Sequence, residues 1–236
     1  MDKPGAADQI ACVGGHIMDY EFRDPMRLAR VVRVAVIIWT VVAIGYASAA
    51  AFSALTIGAF QAGTANMEDL ARVDTVSAIA GVSTLVVNLI TMILVARWIY
   101  RANKNAHALS SDMVMTPGWN IGFFFIPIAS LWKPFEGISQ TWRASVSPSD
   151  PESVEIPGWL KLWWGCWIAS SILGNISFRL SLGTQTLDSL SAGGWIDAAA
   201  LPFDLISAYT LLQLVAQLSQ IQHDARDVEA QQVVFE

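Results

Sequence analysis

"MTPGWNIGFFFIPIASLWKPFEG", residues 115–137, is too apolar for a surface loop and too broken for a membrane span. Between Trp119 and Trp132 it offers mostly apolar residues, but a helix of that length covers only about 21 Å, against a bilayer core of about 30 Å. Pro127, in the middle, removes a backbone donor and clashes with the preceding turn, freeing a carbonyl that hydrocarbon cannot satisfy. Two arrangements fit. One is a re-entrant hairpin that dips to Pro127 and returns through "IASLWKPFEGISQTWR"; the other is a pair of helices lying in the membrane interface, with Trp119, Trp132 and Trp142 at headgroup depth. Both begin and end on one face.

Outward from this segment the chain is 54% hydrophobic and 14% charged, where a soluble domain carries about 25% charged residues. Four apolar runs, about 34–60, 76–100, 159–180 and 198–220, are long enough to cross a bilayer as helices. The first run is longer than a signal-peptide core and lies more than thirty residues in, so it is expected to be an uncleaved span. Its small residues Gly45, Ser48, Ala49, Ala50 and Ala51 allow close approach of a neighbouring helix. Residues 1–22 and 223–236 are expected to be tails flanking a single transmembrane domain over 23–222.

Basic residues sort these runs. Lys3, Arg23, Arg27, Arg30 and Arg33 precede the first; Arg97, Arg101, Lys104, Lys133, Arg143 and Lys161 lie between the second and third; Arg226 follows the fourth. Only Arg72 and Arg179 lie in the other two connections. Because Lys and Arg are retained in the cytoplasm, this pattern predicts four crossings with both termini inside. A fifth crossing at 119–142 would put Lys161 outside. The expected fold is therefore all-α integral membrane: four transmembrane helices and a Pro-kinked re-entrant or interfacial element over 117–143 on the cytoplasmic side. Before the first span, Asp24 and Pro25 read as a helix start, with Met26, Ala29, Val32 and Val36 forming one apolar stripe.

Arg97, Arg101 and Lys104, spaced three and four apart, make one face of the second helix cationic where it leaves the bilayer, with Trp98 and Tyr100 as interface anchors. Asn103, Asn105 and His107 add a polar patch. With Trp119, Trp132, Trp142 and Arg143 these residues form the candidate surface for lipid headgroups or a partner subunit. Trp163, Trp164 and Trp167 read as belt anchors. Asn88 and Asn175 lie near mid-membrane and are expected to face protein and each other; Arg179 and Asp204 are expected to pair across a short outer loop.

The run "RWIYRANKNAHAL" followed by "TPGWNIGFFFIPIASLWKPFEGISQTWRAS" resembles the core signature of the bacterial integral membrane family of domain of unknown function 4328. The match falls on Arg101, Asn103, Asn105, Pro117, Trp119, Pro127, Pro134, Trp142 and Arg143; it covers roughly residues 25–222 and is specific over 97–143. The resemblance implies a multispan protein of the bacterial cytoplasmic (inner) membrane and supplies no catalytic residues.

The residues themselves point away from catalysis. There is no Gly-rich phosphate loop, HExxH or GxSxG, and His16, His107 and His223 lack ligand spacing. Cys12 and Cys166 make neither a disulfide framework nor a CxxC motif. No metal or cofactor is expected, and no nucleic acid, since the basic residues border membrane segments and the net charge is -6. The expected function is a non-enzymatic accessory, structural or sensory membrane component that binds lipids, other membrane subunits or itself. The alternative is a small transporter or channel in which the Pro-broken segment lines a pathway.

Overall fold

The computed structural model describes residues 20–183 and 186–234, with side chains up to residue 225. Of the expected tail over residues 1–22, residues 1–19, with Cys12 and His16, lie outside the described residues.

Among the described residues there is no strand. The order is α1 (Met26–Gln61), α2 (Met67–Leu109), α3 (Pro117–Gly122), α4 (Lys133–Val146), α5 (Gly158–Leu182) and α6 (Leu187–Val234), with single 3-10 turns at Phe123–Phe125, Ala129–Leu131 and Pro151–Ser153. Local chemistry marks several starts. The Asp24 carboxylate accepts the Met26 N–H at 2.9 Å just before α1. Asn66 caps α2 reciprocally, taking the Glu68 and Asp69 N–H groups while Asp69 takes its own. Pro117 opens α3, where a missing N–H costs nothing.

Three helices, Met26–Gln61, Met67–Leu109 and Leu187–Ala225, are long and apolar enough to cross a membrane. The outward face of α2 is apolar over several turns, with Ile79, Val82, Leu85, Leu89 and Ile93 all exposed, more than a water-soluble chain tolerates. The chain is membrane-embedded. α5, expected as a fourth span, is not among the three: four Trp residues, Lys161 and Arg179 dilute its apolar character.

In space the long helices run α2, α1, α6, α5, each packed on the next. Ala43, Ala47, Ala50, Ala54 and Ile57 form the buried stripe of α1. Against it, Gly194 of α6 comes so close that an added Cβ would sit 2.7 Å from the Ala50 carbonyl oxygen. At 1.5 Å per residue α2 and α6 reach about 64 and 72 Å, twice a bilayer core, so both project beyond it. α6 begins at Leu187, about ten residues before the expected span, and continues to Val234 where a tail was expected.

The broken segment 117–146 packs on the projecting half of α2 and on α6, and caps this end of the bundle. Its elements are too short for any of them to span a bilayer. The largest cluster of buried side chains lies here: Trp98, Ile138, Trp142, Leu160, Trp163, Trp164, Leu214 and Leu218. Trp98, Trp142, Trp163 and Trp164, expected at headgroup depth, are therefore interior residues, because the segment folds back over them. The Trp98 indole donates to Ser219 Oγ at 2.9 Å and the Trp164 indole to the Leu131 carbonyl at 2.9 Å.

Candidate functional site

The capped end has a polar interior and an apolar, cationic rim. Asn103, Asn105, Asn120 and Gln222 are all fully buried, and Asn105 and Gln222 find partners inside the protein for both ends of the carboxamide, whereas Asn120 makes no side-chain hydrogen bond among the described residues. Gln222 Nε2 donates to the Ala102 carbonyl at 2.8 Å and to Ser145 Oγ at 2.9 Å, and Gln222 Oε1 accepts from Asn105 Nδ2 at 3.0 Å. Asn105 also brackets the backbone of Arg23, accepting its N–H at 3.1 Å and donating to its carbonyl at 2.9 Å. Asn103 Nδ2 donates to Thr141 Oγ1 at 3.0 Å. One network thus ties α2, α4, α6 and the lead-in to α1 together. A Cβ at Gly137 would lie 2.3 Å from Asn120 Oδ1, so α4 needs glycine there to seat that amide.

Asn103, Asn105 and Trp142, read from sequence as surface residues, therefore face inward and present nothing to a headgroup. The spacing that made them look like one patch with Arg101 places them on the side of α2 that α4 and α6 cover. Gln222, Asn120, Thr141 and Ser145 were not anticipated. For Gln222 a signal existed: Leu214, Leu218 and Gln222 repeat every four residues, and all three are buried.

The rim keeps the remaining candidates. Arg97 is exposed and Arg101 half-buried. Neither makes an ion pair among the described residues, whereas Lys133 is paired with Glu136 at 2.7 Å. Arg143 is half-buried and donates from Nε to the Val154 carbonyl at 3.0 Å, pinning the loop before α5. Lys104 Nζ lies 5.5 Å from the Tyr20 ring centroid and 5.8 Å from that of Tyr100. Between α3 and α4 an apolar edge stands outward: Trp119 is 56% exposed, Phe125 68%, Ile128 71% and Trp132 49%. Pro127 sits at its tip, between the two 3-10 turns.

The intramembrane expectations fare differently. Asn88 and Asn175 are both exposed, and Asn175 Nδ2 donates to the Ser171 carbonyl of its own helix at 3.0 Å. They do not meet. Asp204 accepts from Ser170 Oγ instead of pairing with Arg179, which is exposed. The reason is register. Ser177 Oγ reaches the Gly193 carbonyl, so Arg179 lies level with the stretch of α6 near Gly193, while Asp204 is some eleven residues, or about 16 Å, beyond Gly193. A cavity of about 310 Å³ lies at the opposite end of the bundle, and neither Asn88 nor Pro127 lines it.

The family model described as "Domain of unknown function (DUF4328)" matches residues 61–220, from the end of α1 through the capped end and most of α6. No curated protein and no solved structure matches the chain.

Proposed function

The chain belongs to the family of domain of unknown function DUF4328, and from that membership, which carries no activity, we propose a non-enzymatic membrane component that crosses the bilayer four times and grips anionic lipid with its cytoplasmic cap. In this reading α5 is the fourth crossing. Its 25 residues cover about 37 Å and pack along α6. Both termini and the cap then share the cytoplasmic side, where the positive-inside rule puts the basic residues. Segment 117–146 lies in the interface, its exposed Phe125, Ile128 and Trp132 entering the headgroup boundary.

The observation that carries the lipid reading is a set of exposed cations at the same end of the bundle as that apolar edge. Arg27, Arg30 and Arg33 on the opening turns of α1, Arg97 on α2 and Lys161 on the first turn of α5 are exposed. None has a carboxylate partner among the described residues. Such residues are attracted to an anionic leaflet by on the order of 1 kcal/mol each. The cavity at the other end of the bundle reaches neither Pro127 nor Asn88 and so does not itself supply a pathway along the broken segment.

Two measurements test this. In a Cys12→Ser background, an impermeant maleimide applied to intact cells is expected to label Thr64→Cys and Thr186→Cys but not Ser149→Cys or Asp224→Cys. Equal labelling of Ser149→Cys and Thr186→Cys would show that α5 does not cross. In native mass spectrometry, the Arg97→Gln/Arg101→Gln variant should retain about 30-fold less phosphatidylglycerol than wild type, the sum of two such attractions. Arg72→Gln, at the other end, should change nothing. Unaltered retention in the double variant would remove the lipid role.

A further inference from the structure

The cavity at the end of the bundle away from the cap has a chemistry that the lipid reading does not use. It is a half-open hollow lined by residues of α1, α2, α5 and α6. No Lys, Arg or His lines it, and Asp197 is its single carboxylate. The Tyr46 hydroxyl donates to Asp197 Oδ2 at 2.8 Å. Oδ1 accepts no hydrogen bond among the described residues. Ser77 Oγ, also in the lining, is buried with no hydrogen-bond partner. The rest of the wall combines Ser53, Ser177, Ser181 and Ser189 with small or aliphatic residues such as Ala49 and Leu180.

A carboxylate set among apolar helices calls for a positive partner. Arg179, adjacent in sequence to the lining residue Leu180, is exposed and makes no ion pair among the described residues. At about 310 Å³ the space is far larger than a bare ion needs and sits at the lower end of small-molecule pockets.

We propose that this cavity is a binding site for a small organic ammonium group. Its N–H donors meet Asp197 Oδ1, and its short carbon chain lies against Ala49, Ala50, Leu180 and Leu190 of the wall. The Tyr46 ring beside the carboxylate adds a favourable face for a cation. This site is independent of the lipid-binding cap: it lies at the other end of the molecule and shares no residue with it.

The test uses the full chain in phosphatidylglycerol nanodiscs, titrated with butylammonium, butyrate and butanol and read by saturation-transfer NMR. Saturable binding of butylammonium alone is expected. Asp197→Asn keeps an acceptor for Tyr46 but loses the charge, and should weaken binding by about tenfold or more. Gly81→Leu places a side chain in the lining where a Cβ meets nothing within 4 Å, so it should fold, melt like wild type and abolish binding. It also carries the test should Asp197→Asn fail to fold. Absence of saturable butylammonium binding, equal binding of butanol, or unaltered affinity in Gly81→Leu each overturns the proposal. Adding phosphatidylethanolamine separates two sources of the same group: competition assigns the site to a lipid headgroup, an unchanged titration to a free amine, and both uphold it.

Discussion

Gly194→Val is expected to drive α6 off α1 and to cost on the order of 3 kcal/mol, the upper part of the range for overpacking a close contact. The obstacle is what makes it large. A Cβ at 194 would lie 2.7 Å from the Ala50 backbone oxygen and 3.2 Å from Ala54 Cβ. A long side chain could turn away, but a helix carbonyl cannot move without its helix. Ordinarily, replacing a helical glycine is favourable by roughly 0.5–1 kcal/mol, and Gly45 and Gly81, where a Cβ meets nothing within 4 Å, provide that control. Gly45→Ala and Gly81→Ala should therefore match or exceed the wild-type melting temperature in detergent. Gly194→Val should melt far lower or fail to purify as a single species. A Gly194→Val protein that melts with wild type would mean the two helices are not in close contact.

Gln222→Leu should have the second large effect, roughly 2–3 kcal/mol. The side chain is fully buried and makes three hydrogen bonds, to Ala102, Asn105 and Ser145. Leucine fills a similar volume, so the loss is chiefly of partners: Ser145 Oγ loses its donor and Asn105 keeps only Arg23. The stranded polar groups, more than the lost bonds, set the cost. Asn105→Leu should be similarly damaging. The double variant should cost clearly less than the sum, because both ends of one interaction become apolar together. Hydrogen exchange over 133–146 should rise in each single variant, since α4 is held through Ser145. Additive melting losses, or unchanged protection of α4, would show that the network does not couple these helices.

Much of this architecture was legible without coordinates. The apolar runs place the long helices, and Asp24 with Pro25 marks the start of α1, whose Ala29, Val32 and Val36 are buried as their spacing predicts. Pro127 and the shortness of its flanks announce a segment that cannot span. Gly193 and Gly194 hid the true start of α6, because glycine lowers helix propensity and here serves packing instead. That displaced start is why Arg179 and Asp204 were expected at one depth.

By itself, then, the sequence determined that this chain lives in a bilayer, where its helices run, and which stretch is broken, since length, hydropathy and proline act locally along the chain. Only the tertiary structure decided which face of each helix is covered. Asn88 and Asn105 look alike in sequence, yet one is exposed and the other fully buried. The physical reason is that burial of a polar side chain depends on what a distant segment offers it: Gln222 and the Arg23 backbone meet Asn105, and no described residue does the same for Asn88. The cavity beside Asp197 likewise exists only because four helices distant in sequence converge there.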